Sequence, residues 1–429
     1  MTAAIVACAV FGVAFFLIAT ERFNRVAIVL VAAGLLAALR IVPGEHIFFS
    51  EHAGIDWNVI FLLLGMMIIV SVVKLTGVFE FLAIWVVKRS GGRPYRMLVL
   101  LILSTGIVSA FLDNVTTVML VAPVTILMCA RLGFSPVPYL IAEVLASNIG
   151  GAATLIGDPP NIIIGSRANL SFNDFLIHMA PIAMLTLAVF ALAAWPMFRR
   201  TFEFHPERVD EIMALDERSF ITRPDLLRRC LLVLGLVIAA FALHSVLHIE
   251  PAVVAMLGAG VMVLVSRTTA SEYLAEVEWP TLVFFMGLFV MVGGLVETGV
   301  IEALGRWAVE TVGDGYLGAA TTLLFGSAVG GAFFDNIPYT ATMAPIVESI
   351  VAQAPDPATG QALWWAFALG ADFSGNGTAV AASANIVVLG IAARHGTPIS
   401  FWQFTRYGIV TTLLTTAVAW VYVWLRYFT

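Results

Sequence analysis

Two kinds of polar interruption in an otherwise apolar chain hold the residues able to do chemistry. The first reads Phe111-Leu112-Asp113-Asn114-Val115-Thr116-Thr117, with a near-copy at Phe333-Phe334-Asp335-Asn336-Ile337-Pro338-Tyr339-Thr340. A carboxylate, an amide and hydroxyls beside unwound backbone carbonyls form a hard-oxygen cage, the chemistry that holds Na⁺ or a proton. An ionisable residue among spanning segments is a functional candidate by default. The expected coupling residues are therefore Asp113, Asn114, Thr117, Asp335, Asn336 and Thr340, with no other metal site. The Na⁺ sites would be Asp113/Asn114 and Asp335/Asn336. The structural alternative is that Asp113 and Asp335 cap the helices that follow, a position Asp and Asn favour.

The second interruption runs from Ser147-Asn148-Ile149-Gly150-Gly151 through Thr154 to Gly157-Asp158-Pro159-Pro160-Asn161; its copy runs from Asp372 through Gly375-Asn376-Gly377-Thr378 to Asn385. Small residues let a solute approach the backbone, and half-helix ends offer dipoles and free N–H groups. Substrate binding is expected at Asn148, Gly151, Thr154, Asp158, Asn161, Asn376, Thr378 and Asn385; for the glycines, close helix packing is the alternative. Asp372 stands where the first half has Asn148, so the two halves are not expected to bind identical things. Asp372 therefore joins the coupling residues.

The elements that must position these groups are membrane helices. The chain of 429 residues is 60% hydrophobic and only 12% charged, with a mean hydropathy of +0.97. Soluble domains are about 45–50% apolar and about 25% charged. A net charge of −6 without a basic tract excludes a nucleic-acid partner. Cys8, Cys129 and Cys230 have neither disulfide nor zinc-ligand spacing. The apolar residues 1–19 lack a basic leader and are expected to be a first span instead of a cleaved signal.

Spans of about 20 apolar residues are expected at 3–19, 26–42, 58–74, 176–198, 230–249, 251–266, 280–297 and 401–425. Between 97–165 and 316–393 the apolar stretches are short and broken, which implies re-entrant hairpins and broken helices whose unwound backbone is buried in protein. The segment 199–229 holds seven arginines and seven acids, the one sizeable water-facing loop. Its arginines place it in the cytoplasm. Threading outward sets the N-terminus outside a cell (inner) membrane and leaves 18 of the 22 Lys and Arg on the cytoplasmic side, and no Lys or Arg within a predicted membrane core.

An internal repeat organises the chain. Asp56-Trp57 resembles Glu278-Trp279, and Gly65, Thr76-Gly77, Asp113-Asn114 and Ala122-Pro123 recur at a constant separation of 222 residues. Gly151, Thr154 and Asn161 recur at 224. The threading starts one copy outside and the other inside, which makes the repeats inverted, the architecture of secondary transporters. The expected fold is an all-α polytopic membrane protein with two inverted repeats, each with a re-entrant hairpin and a broken transmembrane helix. Its parts are N-terminal scaffold helices (1–55), a first repeat (56–198), the cytoplasmic linker (199–229), linking scaffold helices (230–277) and a second repeat (278–429).

Weaker signals remain. Glu143 is a proton relay or a partnered interior carboxyl. His178, His244 and His248 suit interfacial packing, and Glu297 and Glu302 suit solvent. An intramembrane hydrolase built on Ser147 and Asp158 lacks a histidine in the membrane core. No phosphate-binding loop of the Gly-x-x-x-x-Gly-Lys type occurs, so ATP hydrolysis would need a separate subunit.

The run Leu112–Thr117 with Ala122-Pro123, followed by Asn148–Thr154 and Gly157–Asn161, resembles the arsenite efflux pump and P-protein branch of the ion transporter superfamily, which also contains divalent anion/sodium symporters and sodium/proton antiporters. The likeness covers roughly residues 20–427. It implies a scaffold and a transport domain, two hairpins, and a homodimer that carries its substrate by an elevator-like motion. Where the anion/sodium symporters have Ser-Asn-Thr, this chain has Asp113-Asn114-Val115 and Asp335-Asn336-Ile337, which favours protons or a less anionic substrate. The expected activity is proton-coupled export of arsenite or antimonite, not an enzymatic reaction. The alternative is sodium-coupled transport of another small, dicarboxylate-like anion, or sodium/proton antiport. H⁺ or Na⁺ is the coupling ion and no other cofactor is expected.

Overall fold

A computed structural model describes residues 2–20, 22–50, 53–202, 209, 213, 216–312 and 315–429. Among them the regular structure is helical, and seven helices are long and apolar enough to cross a membrane by length and composition. Helix starts follow local chemistry. Asn24 accepts from the N–H groups of Val26 and Ala27, Asp56 from Val59, and Ser400 from Gln403. Proline opens the helices Pro94–Ser109, Pro159–Ala168, Pro224–Leu247 and Pro251–Ser266, where its missing N–H is harmless.

The expected span over 176–198 is two helices, Phe172–His178 and Ala180–Phe198, joined at Met179. Pro181 sits in the first turn of the second, where proline is tolerated, whereas a continuous helix would place it in the interior. The span expected from 230 begins earlier, at Pro224. Part of the loop 199–229 lies outside the described residues; 216–222 docks back onto the first repeat. There Thr222 N–H donates to Thr76 O at 3.0 Å. Gly77, with φ of 78°, leaves the room that the Phe220 carbonyl fills. Lys88 hydrogen-bonds Glu217 and holds that carboxyl below its ordinary value.

Each repeat folds around a hairpin and a broken helix. In the first, Pro94–Ser109 and Asn114–Leu132 are the hairpin arms, and Val137–Gly151 breaks before Pro159–Ala168. In the second, Tyr316–Phe334 and Asn336–Val351 are the arms, and Pro357–Ser374 breaks before Ser383–Arg394. The repeats interlock by exchange. Ser383–Arg394 packs on Asn114–Leu132, and Pro159–Ala168 packs on Asn336–Val351. The same exchange joins Arg25–Ala38 to Trp279–Glu297, and Pro251–Ser266 to Trp57–Lys74.

Burial grades outward from the broken helices. Every residue of Val137–Gly151 from Pro138 onward is buried, so polar side chains there must find partners in protein. In contrast, Pro224–Leu247 exposes Leu231, Leu232, Leu236, Leu243 and Val246, a surface suited to lipid.

Candidate functional site

The hairpin tips cap their own helices. Asp113 Oδ1 accepts from Thr116 N–H at 2.8 Å and Oδ2 from the Thr116 hydroxyl at 2.6 Å. Asp335 Oδ1 accepts from Ile337 N–H at 3.1 Å, while Oδ2 lies 3.7 Å from Arg25 Nη1. Asp335 has a φ of 69°, a conformation that costs a non-glycine residue about 1–3 kcal/mol. The tip holds it with a backbone bond, Asn336 N–H to Ala381 O at 2.9 Å.

Asp113→Asn should therefore be mild. Asn caps as well as Asp does, and the Thr116 hydroxyl can turn to accept from the new amide. The expected loss is within about 0.5 kcal/mol, read as an almost unchanged melting temperature in detergent. A loss above about 2 kcal/mol would show that the fold needs the charge at position 113 and not only the cap.

The two helix breaks share one hydrogen-bond scheme. Asn161 Nδ2 donates to Gly151 O at 3.3 Å and to Thr154 O at 3.0 Å; Asn385 Nδ2 donates to Gly375 O at 2.7 Å and to Thr378 O at 2.9 Å. Thr154 Oγ1 donates to Ala110 O, and Thr378 Oγ1 to Ala332 O at 2.6 Å, which ties each break to its own hairpin arm. The unwound carbonyls, which lipid could not satisfy, are thus met by side chains of the same repeat.

Between the breaks lies a ring of amides and carboxylates. Asn114 Nδ2 donates to Asn148 Oδ1 at 3.1 Å and to Asp158 Oδ2 at 3.0 Å. Asn148 Nδ2 reaches across to the second repeat, to Gly375 O at 3.2 Å and to the Oδ1 atoms of Asn376 and Asn385, both at 3.1 Å. The Asn336 side chain interacts with Asp158, and that of Asn161 with Asp372. None of these eight residues is more than 3% exposed. Unlike a packed amide cluster, the ring keeps polar atoms without a hydrogen-bond partner among the described residues: Asp158 Oδ1, both Asp372 oxygens, Asn161 Oδ1, Asn336 Nδ2 and Asn376 Nδ2. Native interiors rarely leave so many polar groups unsatisfied in one place.

A cavity of about 490 Å³ opens beside the second hairpin tip, lined by Arg25, Glu278, Thr281, Asp335 and Ser383, and by Val115, the chain neighbour of Asn114. Arg25 donates to Ser383 Oγ at 2.7 Å, pairs with Asp335, and lies over the Phe284 ring at 5.4 Å. A second cavity, about 570 Å³, is lined by Asn58, Ile162, His244, Glu250 and Pro251. Asn58 and Ile162 are the repeat equivalents of Pro280 and Ile386 in the first cavity, but neither hairpin tip lines the second.

The expected site residues divide accordingly. Asn114, Asn148, Asp158, Asn161, Asn336, Asp372, Asn376 and Asn385 meet in the ring. Thr154 and Thr378 brace the breaks, and the Gly151 carbonyl accepts from Asn161. Asp113 and Asp335 stand at the tips. Thr117 is buried with its hydroxyl unpartnered among the described residues, and Thr340 donates to Asn336 O at 2.7 Å. Glu143 is fully enclosed and accepts from the Thr125 hydroxyl at 2.6 Å. His178 stacks on Trp365 at 4.9 Å. Sequence reading left out Arg25 and Ser383, which lie 358 positions apart. Arg25 opens the helix Arg25–Ala38, outside both polar interruptions, and no local pattern marks its partner.

Residues 15–370 match the family profile described as CitMHS, citrate transporter. An uncharacterized transporter of Mycobacterium tuberculosis is 55% identical over 425 residues, 99% of each chain. The P protein of Homo sapiens is 32% identical over 498 residues; the match takes in 97% of this chain and 59% of the P protein. Among solved structures, MtrF of Neisseria gonorrhoeae, described with a class of antimetabolite efflux pumps, superposes with a TM-score of 0.63 at 12% identity, covering 93% of this chain and 86% of that one. At that identity the likeness is one of fold.

Proposed function

The chain belongs to the CitMHS citrate transporter family, and from that premise we propose that it is a cation-coupled secondary transporter of a small, oxygen-rich solute. The ring between the two breaks carries this reading: amide and carboxylate atoms without a hydrogen-bond partner among the described residues are enclosed where the two repeats meet. Asn148, Asn161, Asn376 and Asn385 would offer the solute its hydrogen bonds, and the tips together with Asp372 would carry the coupling.

In the finer reading the solute is arsenite or antimonite, exported against protons. Arsenite near neutral pH is mostly the uncharged trihydroxide, which needs amides, hydroxyls and carboxylates but no cationic side chain. The ring has that character, with two carboxylates and no Lys or Arg among its eight residues. The orientation that goes with this reading has the linker 199–229 in the cytoplasm and the N-terminus outside the inner membrane, by the distribution of Lys and Arg. A homodimer accords with the superfamily resemblance.

A second reading, sodium-coupled transport of a carboxylate-bearing anion, is favoured by the family description and by the Arg25 guanidinium in the cavity. Purified protein in proteoliposomes decides between them, with arsenite, citrate and ²²Na⁺ offered under imposed pH or sodium gradients. Arsenite flux driven by the pH gradient is the expected result. Citrate flux driven by sodium establishes the second reading, and ²²Na⁺ flux driven by pH alone establishes antiport. Vesicles inert to every gradient overturn the transporter reading.

A further inference from the structure

We propose that Glu143 is a proton-binding site that exchanges with the ring along the hydroxyls of Thr105, Ser109 and Thr117, an inference that rests on the cation-coupled reading above. The two repeats differ here. Glu143 is 1% exposed; its Oε1 accepts from the Thr125 hydroxyl at 2.6 Å, and its Oε2 has no hydrogen-bond partner among the described residues. Counted back from Gly151 and Gly375, its repeat equivalent is Phe367, a buried ring 6.4 Å from that of Tyr339. Thr125 answers to Val347, also buried. Apolar side chains fill this place in the second repeat, so helix packing does not call for a carboxyl. Nor does a counter-ion. Of the helices packed on Val137–Gly151, Ala180–Phe198 has no titratable residue, and Pro94–Ser109 has Tyr95 and Arg96 in its first turn only. Asn114–Leu132 brings the buried thiol of Cys129, one turn beyond Thr125, and the exposed Arg131; Pro357–Ser374 brings Asp372 of the ring. In Ser383–Arg394 and Phe401–Tyr427 the titratable residues stand within two turns of the helix ends. On its own helix, the Tyr139 hydroxyl donates to Pro94 O at 3.4 Å. An ionised carboxylate at 143 would be a buried charge without a counter-ion, and a proton removes it.

The hydroxyls follow the same division. Thr105, Ser109 and Thr117 are each at most 1% exposed, and none of their hydroxyls has a hydrogen-bond partner among the described residues. Helical Ser and Thr can bond back to a carbonyl one turn earlier, as Ser147 does to Val144 O at 2.8 Å. The second-repeat equivalents, at the 222 separation, are Ser327, Gly331 and Tyr339. There the set is closed: Tyr339 Oη donates to Ser327 Oγ at 3.1 Å, and Gly331 has no hydroxyl. In the first repeat the three hydroxyls are placed between Glu143 and the ring. Ser327 Cβ lies 2.9 Å from where a Cβ on Gly370 would stand, and Gly370 is the equivalent of Ala146, so Thr105 stands level with Ala146, one turn from Glu143. Ser109 O lies 2.9 Å from where a Cβ on Gly157 would stand, beside Asp158. Thr117 follows the ring residue Asn114 by three positions, on one helix face. A hydroxyl both donates and accepts. The proton leaving Glu143 bonds to a hydroxyl oxygen as that hydroxyl's own proton passes on, and the unpartnered Asp158 Oδ1 takes the last one. The reverse sequence reloads Glu143.

Glu143→Gln tests the site, because it keeps the shape and the Thr125 hydroxyl can turn to accept from the new amide. The readout on purified protein is the infrared C=O stretch of protonated carboxylic acids and its shift on transfer to D₂O, which needs no knowledge of the solute. Wild type should show a band that Glu143→Gln lacks and that Glu143→Asp displaces. Glu143→Leu should lose the same band and melt no lower than wild type, since an apolar residue suits this place in the second repeat. Thr105→Val and Thr117→Val, both nearly isosteric, should keep the band but slow its deuterium exchange by about tenfold. Identical carboxylic-acid bands in wild type, Glu143→Gln and Glu143→Leu overturn the site. Unchanged exchange rates in both threonine variants overturn the hydroxyl path. In proteoliposomes, flux driven by a pH gradient should fall by about a hundredfold in Glu143→Gln, and full flux in that variant overturns the exchange with the ring. Wild type inert to every gradient overturns the transporter reading instead, while the band and its exchange rate still decide the proton site.

Discussion

Gly150→Ala is expected to prevent accumulation of folded protein. Gly150 lies on Val137–Gly151 where that helix crosses Pro94–Ser109, and a Cβ there would come within 2.6 Å of Gly106 Cα. Backbone, not a flexible side-chain end, occupies the space, so the helices must separate. Gly106 is itself closely packed, with the Leu187 side chain and the Ala146 carbonyl against the position its own Cβ would take. Small residues at such crossings are what let membrane helices approach closely. Overpacking of a rigid contact usually costs about 1–3 kcal/mol and more when backbone must move, and here the moving helix also carries Asn148. Gly235→Ala is the control. Gly235 has open space around its Cα on Pro224–Leu247, so alanine should be neutral or stabilise by up to about 1 kcal/mol. Fluorescence-detected gel filtration and detergent melting read both. A Gly150→Ala protein as monodisperse and as heat-stable as wild type would show that the crossing is looser than described.

The second large effect is expected at Asn148. Its amide group joins the repeats through three acceptors, and its oxygen receives Asn114. Asn148→Ala leaves those acceptors facing a void. Unpaired buried polar groups cost about 1–3 kcal/mol each, and partial relaxation brings the expected total to about 2–4 kcal/mol, together with loss of transport. Asn148→Asp separates size from hydrogen bonding. It preserves the shape but turns an oxygen toward Gly375 O and two amide oxygens, a contact only the protonated acid can make. Its stability should therefore be greatest at acid pH and fall as the pH rises. Wild type, with an amide at this position, gains no such dependence there. A pH-independent melting temperature for Asn148→Asp would mean that the ring re-forms around the carboxylate.

The polar interruptions were legible in the sequence because a membrane makes them costly: Asp, Asn and Thr stand out against long apolar runs. The Gly-Asp-Pro-Pro-Asn run marked a broken element in the same way. The helix boundary at Met179 was not visible, because hydropathy continues across Pro181. Thr154 and Thr378, placed with the substrate residues by their position, donate to the hairpin carbonyls of Ala110 and Ala332. The sequence marked them as polar but did not say what they touch.

By itself the amino-acid sequence determined the membrane class, the all-helical character, the two-fold repetition and the residue types at each interruption. These depend on composition, on periodicity and on a constant offset, all of which can be read without coordinates. Only the tertiary structure decided the partners. Asn148 meets residues 227 to 237 positions away, and Arg25 meets one 358 positions away. It also set Arg25 against Asp335 at the second hairpin tip. The physical reason is that lipid is as apolar as a protein core. Hydropathy can therefore place a helix in the membrane, but it does not say which face packs on protein, and so it cannot say which buried polar groups will meet.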